Sequence, residues 1–370
     1  MYITEIELHN FRNYDELSLQ FHKNVNLILG NNAQGKTNLL ESIYLCSMGK
    51  SFRTNKDQEM ILFGQDYGRV KVHAQKDYVD TTVELILSKD AKKAAKVDGI
   101  KIKKASELLD NIYMVIFSPE DLRIVKDEPE KRRKFIDREL CQIRPRYYEN
   151  LTNYKKVLLQ RNAYLKERDV DASILDLWDM QLAKYGAEIM LMRDDFIKKL
   201  EKISKVIHSS ITGGKEHLTL SYVPNVPLGE TRQEQEELFY NMIRSSYEND
   251  IRQRTTTKGP HKDDLEFFIN DIGVRNFGSQ GQQRTCALSV KLAELSLIKE
   301  ETGEEGILLL DDVMSELDIE RQEFLVKSLS DIQMFITTTE IPDKLKETLP
   351  EGKTFYVTKG CISEEESMYE

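Results

Sequence analysis

Residues 26–41 read Asn-Leu-Ile-Leu-Gly-Asn-Asn-Ala-Gln-Gly-Lys-Thr-Asn-Leu-Leu-Glu: an apolar run, a glycine-bounded loop, then an amphipathic start. A strand, such a loop and a helix N-terminus in this order make a phosphate cradle. The peptides of Gly30, Asn31, Asn32, Ala33, Gln34 and Gly35 can wrap an anion, and the aligned peptides of the helix add positive potential. Lys36 supplies a point charge to the β- and γ-phosphates of a nucleotide. The Thr37 hydroxyl is a hard oxygen suited to Mg²⁺, and Asn38 follows in the first turn. The stretch predicts an α/β fold built outward from this strand.

A second signal closes the argument for a nucleotide site. Ile307-Leu308-Leu309-Leu310-Asp311-Asp312 is an apolar strand ending in two carboxylates. Parallel strands buried on both faces read as continuous apolar runs, and acids at their carboxyl ends reach the ligand crevice. Such a run alone is equally a buried strand entering a loop. Beside the phosphate loop, Asp311 reads as the Mg²⁺ ligand and Asp312 as the group that polarises the attacking water.

Composition sets the outer limits. The chain has 370 residues, 40% hydrophobic and 31% charged, which is enough apolar material for a core and excludes wholesale disorder. No stretch approaches the roughly 20 apolar residues that span a bilayer. The opening Met-Tyr-Ile-Thr-Glu-Ile-Glu-Leu alternates like a strand rather than a signal peptide. Cys46, Cys141, Cys286 and Cys361 are scattered and form no Cys-x-x-Cys pair, so a reduced cytoplasm is expected, with neither zinc nor a disulfide framework.

A net charge of −10 argues against indiscriminate nucleic-acid binding but leaves room for a local basic face. Two runs qualify. Residues 91–104 carry Lys92, Lys93, Lys96, Lys101, Lys103 and Lys104 against Asp98 alone. Residues 131–146 begin Lys131-Arg132-Arg133-Lys134 and hold seven basic residues against Asp137 and Glu139. Compensating acid includes Glu364, Glu365 and Glu366 in the tail. Either run reads equally as a solvated surface.

The chain divides by period. Residues 2–8, 16–21, 69–75 and 80–87 alternate, 112–117 are apolar, and Asp98-Gly99 between apolar residues signals a hairpin turn. Ser118-Pro119 suggests a helix start. From about 120 to 207 helical spacing predicts two or three long helices. Tyr154, Val157, Leu158, Arg161 and Leu165 share one face, and Leu175, Trp178, Leu182, Tyr185 and Ile189 another. Gly213-Gly214 and two prolines predict a loop or small hairpin over 210–230. Strands are expected again at 265–269, 335–339 and 354–357.

The third motif is Phe277-Gly-Ser279-Gln-Gly281-Gln282-Gln-Arg-Thr-Cys286, followed by a helix rich in Ala, Leu and Lys. Ser279 would cap that helix, which alone is an ordinary N-cap. The order is phosphate loop, Ser-x-Gly-Gln, acidic strand, then Ser315-Glu-Leu-Asp318. It resembles the ATP-binding-cassette ATPases, in their Rad50/SMC-like branch. Within that branch the chain resembles the RecF family of bacterial recombination-repair ATPases over nearly its whole length. The resemblance rests further on Leu8–Tyr14, Phe52-Arg53, Phe117–Leu122, Arg132–Asp137, Gln160-Arg161-Asn162 and Gly259–Asp264.

The resemblance implies an ATP-binding-cassette head, with a mixed sheet including antiparallel strands, plus an inserted helical lobe. Residues 1–118 and 255–370 would form the head, with the segment near 277–286 bridging to a lobe at 119–254. It implies a head-to-tail homodimer formed with ATP and Mg²⁺. In that dimer Ser279, Gly281 and Gln282 of one chain meet the γ-phosphate held by Lys36 of the other. Arg12 would lie near the phosphates and Asp318 would position the partner's loop. A slow, DNA-stimulated ATPase at duplex next to single-strand gaps, working with RecO and RecR to load recombinase, is the implied function, in the cytoplasm at the nucleoid. A transporter's nucleotide-binding subunit and a non-hydrolysing DNA clamp are the alternatives. Ala33 stands where the common cassette loop has a third glycine. Gln58 is a weak candidate for the glutamine that senses Mg²⁺. Thr338 or Thr339 stands where a histidine is usual.

Overall fold

The computed structural model describes residues 1–76, 79–329 and 331–364, so Glu365 and Glu366 of the acidic tail lie outside the described residues. The chain folds as two compact units: residues 1–122 with 291–370, and residues 123–290.

The first unit opens with β1 (Tyr2–Phe11), β2 (Tyr14–Gln20), β3 (Val25–Leu29) and α1 (Lys36–Met48). β4 (Tyr67–Lys76), β5 (Val79–Ser88), β6 (Ala94–Val97) and β7 (Ile100–Lys101) follow, then the short α2 (Ser106–Leu109) and β8 (Met114–Phe117). Six of these strands form an antiparallel sheet in the order β2-β1-β4-β5-β6-β7. Its alternation is the expected one: Val70, Val72 and Ala74 point to the core, and Val72 pairs with Val83. Asp98 and Gly99 both take positive φ, 51° and 78°, as the tight turn between β6 and β7 requires.

The expected helix after Ser118-Pro119 does not form. The Ser118 hydroxyl and backbone N–H both donate to Asp121, at 2.8 and 2.9 Å, and the chain makes only a 3₁₀ turn at Asp121–Arg123. The serine is taken up by a side chain and caps nothing.

The second unit is mainly helical. It contains α3 (Pro129–Ile143), α4 (Pro145–Tyr164), α5 (Ala172–Ile211), β9 (Leu218–Val223), α6 (Arg232–Ser245), α7 (Tyr247–Gln253), β10 (Asp264–Ile269), β11 (Ile272–Gly273) and α8 (Val274–Phe277). α5 runs unbroken for 40 residues. It contains no proline, and its one glycine, Gly186, is fixed by packing: a Cβ there would stand 2.3 Å from the Phe239 ring of α6. Three strands pair antiparallel in the order β11-β10-β9. That pairing brings residues 255–290, read from sequence with the head, into the helical unit. Side chains reinforce it: Arg132 holds Asp264 through two hydrogen bonds of 2.6 and 2.8 Å, and Arg193 holds Asp263 at 2.9 Å.

The helix α9 (Gln280–Thr302) carries the chain across the division. β12 (Ile307–Asp311), α10 (Ile319–Ser328), β13 (Met334–Thr338), α11 (Asp343–Lys346), β14 (Gly352–Thr358) and β15 (Cys361–Ser363) complete the first unit. Its second sheet has the order β15-β14-β3-β13-β12-β8, parallel throughout except for β15. α1 is buried nearly all round because it lies between the two sheets, touching β1, β4 and β5 on one side and β8, β12 and β13 on the other. Leu39, Ile43, Val70, Leu85, Met114 and Phe335 belong to this single core. The architecture is the mixed α/β head with antiparallel strands that the sequence led us to expect.

Candidate nucleotide site

The phosphate loop leaves β3 in the centre of the parallel sheet and enters α1 at Lys36. Its backbone is unusual at both ends: Gly30 has φ 157° and Gly35 φ 125°. A Cβ at Gly30 would sit 2.5 Å from the Val357 carbonyl oxygen, and one at Gly35 2.6 Å from Asn13 Nδ2. Ala33 itself takes φ 64°, so the loop makes its left-handed turn there without a third glycine.

Neighbouring side chains hold the loop from outside. Asn13 Nδ2 donates to the Gln34 carbonyl at 3.0 Å, and Tyr14 OH to the Gly35 carbonyl at 3.0 Å. Asn38 Nδ2 donates to Asn13 Oδ1 at 2.7 Å. From the β14–β15 turn, Lys359 N–H donates to Gln34 Oε1 at 2.7 Å and Gly360 N–H to the Gln34 carbonyl at 3.1 Å. Lys36 is buried; its Nζ donates to the carbonyls of Gly30 and Asn31 at 2.6 and 3.2 Å.

At the loop's end the Thr37 hydroxyl donates to Asp311 Oδ1 at 2.8 Å. Thr337, one strand over at the end of β13, donates to the same oxygen at 3.1 Å. Burial pushes the Asp311 carboxyl above its usual range, and the Thr37 hydrogen bond opposes that shift. Asp312 follows with φ 55°, its N–H donating to the Thr337 hydroxyl oxygen at 2.9 Å. Thr337 thus holds the Asp311 carboxylate and the Asp312 backbone together, a role the sequence did not mark. Thr338 Oγ1 donates to the Glu340 carbonyl at 2.7 Å.

Arg12 lies at φ 55° after β1 and is gripped by Glu41 of α1 through two hydrogen bonds, 2.8 and 2.6 Å. It also donates to the Glu59 carbonyl at 2.6 Å. Glu41 is fully buried and also accepts from Arg53 at 3.2 Å and from Ser51. Arg53 reaches Asn38 Oδ1 at 2.6 Å. This carboxylate, at the end of the quoted stretch, organises two arginines beside the loop, and sequence reasoning gave it no role. Gln58 donates to the Lys89 carbonyl at 2.8 Å.

The signature segment belongs to the second unit. Ser279 is exposed, and its hydroxyl accepts from Gln282 N–H at 3.2 Å while Gln282 Oε1 accepts from Ser279 N–H at 2.9 Å. This reciprocal pair is a capping box, opening a helix of 23 residues. Gly281 lies between the two. Asp318, in the first unit, caps α10 by accepting from Arg321 N–H at 3.0 Å.

The basic candidates part company. Lys92 is exposed; Lys93 pairs with Asp57 at 2.9 Å and Lys96 with Glu84 at 2.8 Å. Lys131 is exposed, and Lys134 pairs with Glu130 one turn away at 2.7 Å. Arg132 is 1% exposed and committed to Asp264, and the half-buried Arg133 donates to the Asp263 carbonyl at 2.6 Å. Arg132 is therefore withdrawn as a DNA contact: a guanidinium held by a buried bidentate pair is not offered to a phosphate.

Comparison with known proteins gives one answer. Residues 2–357 match the family described as the RecF/RecN/SMC N-terminal domain. The DNA replication and repair protein RecF of Lachnospira eligens is 46% identical over 99% of this chain and 100% of its own length. That of Clostridioides difficile is 48% identical over 93% of both chains. A solved structure described as the recombination mediator protein RecF with ATP in the RecFOR pathway superposes with a TM-score of 0.90, at 38% identity over 98% of this chain and 97% of that one. A Pyrococcus furiosus Smc head domain with an extended coiled coil shares the fold, with a TM-score of 0.55 at 16% identity.

Proposed function

The chain belongs to the RecF family of DNA replication and repair proteins, and from that premise we propose that it is an ATP-binding DNA-repair protein of the RecFOR pathway that dimerises on ATP and hydrolyses it slowly, stimulated by DNA. The observation that carries the nucleotide reading is the 2.8 Å Thr37–Asp311 hydrogen bond at the mouth of the phosphate loop.

These two oxygens fit a hard divalent cation. Mg²⁺ takes few protein ligands and completes its shell with phosphate and water, which these two oxygens suit. Mg²⁺ held by Thr37 and Asp311 would neutralise phosphate charge. The chain's own residues do the rest. Peptides from Gly30 to Gly35 bind the phosphates, with Asn31, Asn32, Ala33, Gln34 and Asn38 shaping the loop. Lys36 exchanges its two carbonyl partners for phosphate oxygens. Asp312 accepts from the attacking water, oriented by the Thr337 hydrogen bond to its own backbone. Arg12 and Arg53, anchored on Glu41, set the positive wall of the site.

Ser279, Gly281 and Gln282 meet the γ-phosphate of a second copy, so ATP joins two chains and hydrolysis releases them. Asp318 positions the partner's loop. Duplex beside a gap binds through Lys92, Lys93, Lys96, Lys131, Arg133 and Lys134, in the cytoplasm at the nucleoid, with RecO and RecR as partners. Among the described residues no helix is long and apolar enough to cross a membrane.

The test is phosphate release and solution mass measured together, with and without ATP and gapped duplex. DNA-stimulated release by an ATP-dependent dimer is expected, and Lys36→Met abolishes it. Release indifferent to DNA favours a transporter-type subunit, and ATP binding with no release a passive clamp.

A further inference from the structure

One chain of hydrogen bonds in the helical unit runs from a fully buried histidine to the signature capping box. His208 lies in the last turn of α5 and is 0% exposed. Its Nδ1 is 3.1 Å from Ser289 Oγ, and its Nε2 is 3.2 Å from Glu216 Oε2. The other carboxylate oxygen, Oε1, accepts from Gln282 Nε2 at 2.9 Å. Gln282 Oε1 in turn accepts from Ser279 N–H at 2.9 Å.

Donor chemistry fixes the direction of every link. Ser289 gives its only hydroxyl hydrogen to the Thr285 carbonyl at 2.7 Å, so it accepts from His208 Nδ1–H. Ser279 N–H can only donate, so the oxygen of the Gln282 amide faces Ser279 and its NH₂ faces Glu216. The Glu216 carboxylate therefore accepts from Gln282, and its second oxygen faces His208 Nε2.

We propose that Glu216, gripped by the buried His208, is a positioning residue for the signature: it fixes the Gln282 amide, and through it the Ser279 N-cap that meets the partner's γ-phosphate. This rests on the composite-site reading above. A capping glutamine left to itself samples several rotamers. Anchored at its far end, it presents the helix N-terminus in one arrangement before any nucleotide arrives. The same relay ties the signature to the C-terminal turn of the 40-residue helix α5.

The test uses two near-isosteric substitutions in the full-length chain. Glu216→Met keeps the volume and removes both acceptors. Glu216→Gln keeps every link: its carbonyl accepts from Gln282, and its NH₂ donates to His208 Nε2 in the neutral ring. Hydrogen exchange over residues 278–284 of the nucleotide-free protein is followed by mass spectrometry, with ATP turnover, ATP-dependent mass and melting temperature alongside.

In Glu216→Met, exchange over this segment rises roughly tenfold and kcat falls roughly tenfold, the scale of one hydrogen bond to a charged group. The ATP concentration for half-maximal rate stays the same, because the Lys36 site is untouched. Glu216→Gln restores both. Unchanged exchange in Glu216→Met, or a glutamine variant as impaired as the methionine one, overturns the relay. Faster exchange with unchanged turnover and dimerisation overturns the composite-site reading, and the positioning role with it.

Discussion

The Thr37 hydroxyl donates to Asp311 across 2.8 Å, linking the first turn of α1 to the end of β12. Burial raises the Asp311 pKa, so its ionised form costs stability in the folded protein. For a raised carboxyl, that cost is absent at acid pH and grows as pH rises through the raised value. Asp311→Asn keeps the acceptor for Thr37 and removes the charge. The nucleotide-free variant should melt above the parent at pH 7.5 and with it at pH 4, and Mg²⁺-ATP should no longer raise its melting temperature. A variant that melts lower at pH 7.5 without nucleotide would show that the carboxylate stabilises the empty site.

Asp312 has a different task and a different expected outcome. Its side chain is free of the Thr37 link, while its backbone is held by Thr337. Asp312→Asn should bind Mg²⁺-ATP normally and lose turnover, accumulating as an ATP-bound dimer on a sizing column. Ser279→Arg should do the opposite, binding ATP as a monomer. Indistinguishable oligomeric states for the two would contradict this division.

The basic residues separate by burial. Neutralising Lys92, Lys93 and Lys96 together should weaken duplex binding for every sequence, leave melting nearly unchanged, and flatten log affinity against log salt by about 0.9 per lost phosphate contact. Arg132→Met strands Asp264 and should cost about 3 kcal/mol of stability, read by urea unfolding. Its residual DNA binding, measured on folded protein, should match the parent.

His261 gives the helical unit an acid limit. Its Nε2 donates to the Thr256 carbonyl at 2.9 Å and its Nδ1 accepts from Tyr154 OH at 2.7 Å, and burial pushes its pKa down to about 4. Below about pH 6.5 the unfolded chain takes up a proton that the folded ring refuses. Stability present above that pH is lost as pH falls towards 4, by at most about 1.4 kcal/mol per unit. His261→Gln should flatten this part of the pH–stability curve; an unchanged slope rules the histidine out as its source.

Gly186 of α5 packs directly on the Phe239 ring of α6, and Gly259 meets the same ring, where a Cβ would stand 2.6 Å from Phe239 Cζ. Gly186→Ala gains helix propensity on α5 but overpacks the contact, at a cost of about 1–3 kcal/mol. Phe239→Leu in the same chain should recover part of the loss, and additive losses would show that the ring is not the obstacle.

The candidate nucleotide site was legible because its residues are local: one loop carries Gly30 to Asn38, and one strand carries Asp311 and leads into Asp312. What escaped were groups whose partners are remote in sequence. Glu41 looked like the end of a motif, but Arg12 and Arg53 reach it from separate segments. The sequence pointed to Thr338 or Thr339 in the place of a histidine and gave Thr337 no role, because strand register sets which hydroxyl faces Asp311. Arg132 looked like surface charge because its carboxylate partner lies 132 residues away. β9 was hidden in a glycine- and proline-rich stretch because its pairing with β10 decides it. The length of α5 followed from the absence of any breaker, but only packing against Phe239 explains why Gly186 does not interrupt it.

The turn that clamps Gln34 from the side leaves a chemical handle beside the phosphate loop. Gly360 donates to the Gln34 carbonyl, and the next residue, Cys361, is exposed, whereas Cys46, Cys141 and Cys286 are buried. Burial also raises the pKa of the Cys46 and Cys286 thiols, which slows their attack on an electrophile. A thiol-reactive fluorophore would thus mark the native chain at a single address, with no engineered cysteine, beside the candidate phosphate loop. Nucleotide arrival and departure can be watched from that position as a change in emission, in real time and on one molecule.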